Sequence, residues 1–103
     1  MSAYFVAQIT IRDDSAYQKY LDGFDEVFAR FDGEVVAVDD QPAVLEGSWH
    51  RTRFVLIRFP SEQKLRLWYE SPEYQAIARS RQAASEADVL LVHGRHRQTD
   101  HGE

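Results

Sequence analysis

The chain has 103 residues, of which 44% are hydrophobic and 28% charged, a composition typical of one globular domain and not of a disordered, fibrous or coiled-coil protein. Because it contains no cysteine, disulfide bonds, thiolate metal sites and a cysteine nucleophile are excluded. Its net charge of −5 argues against nucleic acid or an anionic membrane surface as the partner. No apolar run approaches the roughly 18 residues that a membrane-spanning helix needs.

The first predicted elements are a strand and a helix. Residues 3–12 alternate between apolar and polar side chains, and this period of two predicts a strand. Residues 14–31 then repeat aromatic and aliphatic side chains at helical spacing, and the run Asp13-Asp14-Ser15 supplies the predicted N-cap and the negative charge of the first turn. Gly33 follows as the predicted end of the helix, because glycine readily takes the left-handed C-cap conformation.

The middle of the chain is predicted to be extended. Residues 35–38 form a short strand, and residues 53–59 are almost continuously hydrophobic, as in a central strand that is buried on both faces. Between these two strands, residues 43–46 are predicted to form a further short strand, followed by a turn that begins at Gly47.

The second helical region is predicted to run from Ser61 to Ser85 and to be interrupted at Ser71 and Pro72. The residue before a proline avoids helical geometry, so the helix that starts at Ser61 ends at this pair. The same pair starts a new helix, with serine as the N-cap and proline at the first helical position. Residues 89–92 are the last predicted strand.

This order, β-α-β-β-α-β, predicts an α+β fold of the ferredoxin-like type, in which an antiparallel sheet carries both helices on one face. Residues 1–94 are interpreted as a single domain and residues 95–103 as a polar, flexible tail. The chain begins without the basic region of a signal peptide, so we expect a cytoplasmic protein.

The strands are apolar on both sides, although two helices cover only one face of the sheet. Each of three strands has one apolar pair on each face of the sheet. The pairs on opposite faces are Phe54 and Leu56 with Val55 and Ile57, Leu90 and Val92 with Val89 and Leu91, and Val36 and Val38 with Val35 and Ala37. An uncovered face of this composition is unusual in a monomer. We therefore predict a homodimer whose sheets pack face to face; the alternative is a monomer whose tail and loops shield the sheet.

Two clusters carry candidate functional groups. The first follows the predicted turn and consists of Glu46, Trp49, His50, Arg51 and Arg53. Cationic and aromatic groups together can bind a small carboxylate or an enolate-like anion. The alternative is a surface hairpin in which the tryptophan covers the edge of the core and the arginines pair with nearby acids.

The second cluster is aromatic and hydroxylic, and it consists of Tyr17, Tyr20, Trp68, Tyr69, Ser71 and Tyr74. Tyr17 and Tyr20 lie on a helical stripe and are predicted to bury their rings in the core. Tyr69 and Tyr74 flank the helix break, where they are candidates for the mouth of a pocket. The unpaired amides at the start of the following helix are suited to an anion.

The remaining charged residues indicate no metal or cofactor site. The histidines lie in a turn, at a strand end and in the tail, so neither helix offers a haem ligand, and their spacing is not that of a zinc site. The chain has no phosphate-binding loop, dinucleotide motif or nucleophile elbow. Four arginines are interpreted as a solvated face and a charged tail: Arg79, Arg81, Arg95 and Arg97.

The segment around the helix break resembles a bacterial family, domain of unknown function 1330. The shared motif is Phe59-Pro60-Ser61 followed by Tyr69-x-Ser71-Pro72-Glu73-Tyr74-Gln75, with a trailing arginine at Arg79 or Arg81. Further matches are Asp13, Tyr17, Tyr20, Gly33, Leu45-Glu46-Gly47, Trp49 and Arg53, whereas Asp14 stands where the family often has proline. The resemblance covers about residues 4–94 and implies a dimeric α+β barrel. Cofactor-free monooxygenases, muconolactone-type isomerases and haem enzymes share that architecture.

The first hypothesis is a cofactor-free enzyme of the isomerase or monooxygenase type, two activities that the resemblance implies for this fold, acting on a small anionic or aromatic molecule. The predicted ligand-binding residues are Trp49, Arg53, Tyr69, Ser71 and Tyr74. Arg53 would hold the anionic group, and His50 or Tyr69 would move the proton. Gln8, Thr10 and Arg58 interrupt the apolar strands, which favours a real pocket. A non-catalytic ligand-binding dimer and a purely structural dimer are the alternatives.

Overall fold

The structure, a computed structural model, describes residues 1–95 of the chain. Its elements are β1 (Ala3–Ile11), α1 (Asp14–Phe28), β2 (Glu34–Asp39), β3 (Arg53–Phe59), α2 (Glu62–Tyr69), α3 (Pro72–Ala84) and β4 (Ser85–His93). The α+β fold predicted from the sequence is confirmed. The predicted tail, with Arg97 in it, lies outside the described residues except for Arg95.

The strands form one antiparallel sheet in the order β2-β3-β1-β4. The central strand β1 buries alternate side chains against the helices, beginning with Ala3 and Phe5, and its other side chains lie on the opposite face. The core combines this face of β1 with buried residues of all three helices. The helices therefore cover one face of the sheet, as the ferredoxin-like topology requires.

The core is largely aromatic and centres on Trp68, which is fully buried in α2. Its ring lies 4.3 Å from the ring of Tyr74 and 5.3 Å from that of Phe59, measured between centroids. Phe5 meets the same indole edge-on at 5.1 Å. Because each aromatic side chain buries a large apolar area, this cluster fixes α2 and α3 on the sheet.

The predicted helix break is confirmed at Ser71. The Ser71 hydroxyl accepts a hydrogen bond from the backbone N–H of Tyr74 at 3.1 Å and donates one to the carbonyl of Trp68 at 2.8 Å. Pro72 takes the first helical position of α3. The break changes the direction of the chain, so that Tyr74 reaches α1.

Two predicted boundaries and one predicted strand are wrong. The first helix ends at Phe28 and not at Phe31, because the backbone N–H groups of Arg30 and Phe31 bond three residues back, in a tightened last turn. Residues 43–46 are not a strand, since they pair with no strand of the sheet and Leu45 is 93% exposed. The last strand begins at residue 85, directly after α3, because β4 pairs with β1 along its whole length.

The predicted division of β2 between the two faces is also wrong. Val35 pairs with Ile57, but Ala37 pairs with Leu56, so Val36 is an extra, bulged residue. After the bulge the alternation is shifted by one residue. Val35 and Val38 consequently lie on the same face of the sheet, the one that carries the helices.

The opposite face of the sheet, which we call the open face, carries no helix of residues 1–95. One row across it is apolar on every strand and consists of Ala37, Leu56, Val6 and Leu90. Leu90 is 57% exposed, and the molecule is only 16 Å thick along its shortest axis. These values fit one layer of helices on one layer of strands, with an apolar face that residues 1–95 leave uncovered. Within residues 1–95 no helix is both long and apolar enough to cross a membrane.

Candidate functional site: a cavity between the sheet and the first helix

A cavity of about 240 Å³ lies between α1 and the helix-bearing face of the sheet. Its wall is mostly apolar and is formed by Phe5, Ala7, Ile9, Leu21, Phe24, Val35, Val38, Val55 and Ile57. Five residues add polar groups to the wall: Tyr17, Tyr20, Asp25, Arg53 and Arg81. Ligand sites in proteins commonly have this composition, an apolar body with a few polar groups. The volume suits a small molecule with one or two rings.

Local features of the sequence create this space. Ala7 lies between the larger Phe5 and Ile9 on the helix-bearing face of β1, so the floor of the cavity is low at that point. The bulge at Val36 places both Val35 and Val38 in the cavity wall. An unbulged strand would point one of these two valines to the open face.

Arg81 is the most deeply buried charge at the cavity. It lies on α3, is only 4% exposed, and its guanidinium carbon is 5.8 Å from the centre of the Tyr20 ring. Its Nε has no hydrogen-bond partner, and no carboxylate of residues 1–95 forms an ion pair with it. Burial acts to lower the pKa of Arg81, but interactions with Tyr74 and Tyr20 more than offset this, so the pKa is raised and the guanidinium stays charged. The cavity therefore holds an uncompensated positive charge.

Two buried tyrosines stand beside this arginine. The hydroxyl oxygens of Tyr20 and Tyr74 lie 2.8 Å apart and share a hydrogen bond. Burial is the largest cause that raises the pKa of Tyr20 well above its ordinary value, and burial also raises the pKa of Tyr74 against the opposing effect of Arg81. Burial likewise raises the pKa of Tyr17, although Arg53 and Arg81 oppose it. All three phenols are therefore neutral at neutral pH and can donate hydrogen bonds.

Arg53 reaches the cavity from the first position of β3. Its guanidinium carbon lies 5.8 Å from the centre of the Tyr17 ring, and its Nη1 donates a 2.8 Å hydrogen bond to the exposed carboxylate of Asp40. The Nε of Arg53 is buried and has no partner among the described residues. Unlike Arg81, Arg53 thus has a carboxylate to balance its charge.

The first predicted cluster is divided between the two faces of the sheet. Trp49 packs against Phe54 at 6.4 Å between ring centres, and Phe54 points to the open face, away from the cavity. Arg51 lies on that side as well, where it pairs with Asp88 at 2.6 Å. His50 is exposed in the segment 40–52 and does not line the cavity. Of this cluster, only Arg53 reaches the cavity.

The polar residues that favoured a pocket in the sequence lie elsewhere. Gln8 and Thr10 of β1 point to the open face, where Arg51 donates a 3.4 Å hydrogen bond to the Thr10 hydroxyl. Arg58 is on the same face and pairs with Glu34 at 2.6 Å. The cavity therefore takes its polar character from other residues.

The residues at the helix break form the back of the core. Tyr74 is fully buried behind Tyr20, and the Ser71 hydroxyl is occupied by the cap of α3. Tyr69 packs between Phe5 and Tyr74 and lines a separate space of about 170 Å³ between α2 and β4. The ligand-binding and catalytic roles of these residues stay predictions.

The sequence-based interpretation of Arg81 as a solvated residue is wrong, because its side chain is buried among the tyrosines. A signal was present in the sequence. Arg81 lies on the same helical stripe as Tyr74, Ile77, Ala78 and Ala84, and all of these are buried or half-buried. A charged residue on an apolar stripe is rarely buried without a partner, and this is the pattern that marks a site.

Within the described part of the chain, no three histidine, aspartate or glutamate side chains are grouped to hold a metal ion.

Comparison with known proteins identifies the family. The family model "Domain of unknown function (DUF1330)" matches residues 2–95. No curated protein is similar enough in sequence to match the chain.

Solved structures share the fold. A protein of unknown function from Rhodopseudomonas palustris is 19% identical, with a TM-score of 0.76 over 92% of this chain and 83% of that one. SnoaB from Streptomyces nogalater, described as a cofactor-independent oxygenase, is 18% identical, with a TM-score of 0.63 over 92% of this chain and 94% of its own. A dimeric ferredoxin-like protein of unknown function from Thermobifida fusca is 10% identical, with a TM-score of 0.62 over 88% and 89%. At these identities the likeness concerns the fold.

Proposed function

The chain belongs to the DUF1330 family, and from that premise we propose that it is a homodimer in which each subunit binds a small anionic or aromatic molecule in the cavity beneath α1 and transforms it without a cofactor. The reaction would be of the isomerase or monooxygenase type. The observation that carries the proposal is a largely apolar cavity in which a buried, unpaired arginine stands beside three tyrosines.

The groups at the cavity suit reactions that pass through an enolate-like or phenolate-like anion. Arg81 offers a fixed positive charge, and the hydroxyls of Tyr17 and Tyr20 can donate hydrogen bonds to an oxygen on which charge develops. The apolar wall excludes water, which strengthens these interactions. His50 and Tyr69, the proton carriers predicted from the sequence, do not line this cavity. Tyr17 and Tyr20 are better placed to donate the proton.

Dimerisation through the open face is supported by the apolar row that crosses all strands. A second copy related by a two-fold axis would cover this row with the same row. The charged residues at the end of the face, among them Arg51 and Asp88, would then lie at the rim of the interface. A protein with the same fold is described as dimeric.

A non-catalytic ligand-binding dimer is the second candidate, and one observation favours it. Among residues 1–95, no histidine lines the cavity, and the one carboxylate in its wall, that of Asp25, belongs to an exposed residue. Tyrosines whose pKa is raised by burial are poor bases at neutral pH. The cavity is thus better supplied with groups that bind an anion than with groups that remove a proton.

Native mass spectrometry of the freshly purified protein, compared with the same sample denatured, tests the proposal. We expect a dimer with additional mass that is lost on denaturation. The variant Val38→Phe is the control, because this half-exposed side chain lines the cavity and a larger one fills it without disturbing the core. It should stay dimeric and lose the added mass. A monomer, or added mass that Val38→Phe retains, contradicts the proposal, and turnover of the released molecule separates the enzyme from the binding protein.

A further inference from the structure

We infer that the molecule bound in the cavity is a monoanion with a flat apolar body, and that its charged head binds against Arg81. This inference rests on the proposed function and specifies its ligand class. It concerns a residue for which the sequence predicted no role in binding, whereas Arg53 was the expected anchor.

The arginines of the described residues differ in how their charge is balanced. Six of them form an ion pair with a carboxylate: Arg12, Arg30, Arg51, Arg53, Arg58 and Arg66. Arg79 and Arg95 are exposed and do not lie in the protein interior. Arg81 alone is both buried and without a carboxylate. An isolated charge in a protein interior is strongly destabilising unless another group compensates it.

The tyrosines around Arg81 do not supply the missing negative charge. Burial keeps Tyr20 and Tyr74 protonated at neutral pH, so they stabilise the guanidinium only as dipoles and through the face of the Tyr20 ring. Asp25 is the only carboxylate that the described residues contribute to the cavity wall, and it is exposed and forms no ion pair with Arg81. An anion delivered by a ligand would complete the charge balance.

The other charges at the cavity limit the ligand to one negative charge. Arg53 is already paired with Asp40, and the exposed Asp25 would repel a second anionic group. The rest of the ligand meets aliphatic and aromatic side chains, chiefly those of Phe24, Val38 and Ile57. A planar carboxylate or phenolate on a small ring system matches both the single positive charge of Arg81 and the apolar wall of the cavity.

Three probes that share a phenyl group test the inference: phenylacetate, its neutral analogue phenylacetamide, and the dianion phenylmalonate. Binding to the wild-type dimer is measured by NMR titration. We expect phenylacetate to bind at least about tenfold more tightly than either of the other two, since only it matches one unpaired cation.

Two variants assign the effect to one arginine. Arg81→Gln should reduce the preference for phenylacetate over phenylacetamide to about twofold or less, whereas Arg53→Gln should retain it. Arg81→Lys is the second variant, because it keeps the charge and should keep part of the preference even if Arg81→Gln does not fold. A preference that is lost in Arg53→Gln and kept in Arg81→Gln overturns the assignment.

The outcomes separate this inference from the proposed function. If phenylacetamide binds the wild-type protein as well as phenylacetate does, a small-molecule cavity is present and only the charge assignment is overturned. Equal or tighter binding of phenylmalonate overturns the restriction to one charge. If none of the three probes binds, the proposed function fails together with the inference.

Discussion

The hydroxyl groups of Tyr20 and Tyr74 lie 2.8 Å apart and connect α1 to α3 across a core that is otherwise aromatic and aliphatic. Tyr20 lines the cavity, and Tyr74 lies behind it against Trp68. Arg81 follows Tyr74 by two helical turns and approaches the same Tyr20 ring. The phenol pair therefore joins the core of the protein to the side of the cavity where the unpaired charge lies.

Removal of either hydroxyl should destabilise the fold. Tyr74→Phe leaves the buried oxygen of Tyr20 without a partner, so we expect the free energy of unfolding to fall by about 1–3 kcal/mol. Tyr20→Phe should have a similar effect. The double variant should lose less than the sum of the two, with a coupling energy of about 1 kcal/mol, because it leaves no orphaned group. Urea unfolding at one fixed protein concentration gives these values.

Tyr69→Phe is the matched control for that cycle. Tyr69 is a half-buried tyrosine of the same aromatic cluster, and among the described residues its hydroxyl makes no hydrogen bond. Its removal should change the free energy of unfolding by less than about 0.5 kcal/mol. Strict additivity of Tyr20→Phe and Tyr74→Phe would show that the two hydroxyls do not interact.

Most of the fold could be predicted from the sequence, because it follows from local patterns. The alternation in β1 and the Ser71-Pro72 pair each act through neighbouring residues, and the structure has both features as expected. The predictions were wrong where the structure depends on pairing between strands that are far apart in the sequence. The bulge at Val36 depends on its register with β3, and residues 43–46, which were predicted to be extended, found no strand to pair with.

The candidate site was less predictable, since burial and ion pairing are properties of the folded chain. Trp49 and Arg53 are four residues apart in sequence but serve opposite faces of the sheet. Arg81 was on an apolar stripe, yet only the structure shows that no carboxylate of residues 1–95 reaches it from another element. Sequence spacing alone does not show which charges find partners.

The buried tyrosines predict a loss of stability at alkaline pH. Burial raises the pKa of Tyr17, Tyr20 and Tyr74 above the ordinary value of 10.0. Above about pH 10 the unfolded chain loses phenolic protons that the folded chain keeps, so the free energy of unfolding falls as pH rises. The expected slope is about 1.4 kcal/mol per pH unit for each tyrosine, and below pH 10 these residues add no pH dependence.

Urea unfolding across the alkaline range measures this slope. Tyr20→Phe should make it shallower, because one of the shifted groups is then absent. Phenolate absorbance followed in the folded protein supplies an independent check. If Tyr17, Tyr20 and Tyr74 titrate near pH 10 before the chain unfolds, burial does not raise their pKa and these phenols are accessible to solvent.

The cap of α3 should be worth more than the cap of α2. Ser71 is buried and its hydroxyl makes two hydrogen bonds, to the N–H of Tyr74 and to the carbonyl of Trp68. Ser61 caps α2 from a more exposed position, where it accepts one bond from the N–H of Lys64 at 3.2 Å. We expect Ser71→Ala to cost about 2 kcal/mol and Ser61→Ala about 1 kcal/mol or less. Equal losses in urea unfolding would mean that the second bond of Ser71 contributes nothing.

The open face should be the dimer interface, and two leucines of almost equal exposure test this. Leu90 lies on the open face and is 57% exposed, whereas Leu67 lies on α2, on the other side of the molecule, and is 60% exposed. In a two-fold interface each substitution is present twice, so Leu90→Glu would bury two carboxylates among apolar side chains. We expect it to raise the dimer dissociation constant at least about 100-fold, while Leu67→Glu leaves it unchanged. Analytical ultracentrifugation over a range of concentrations measures both. A dimer that survives Leu90→Glu and dissociates with Leu67→Glu would place the interface on the helices and leave the open face without the partner proposed for it.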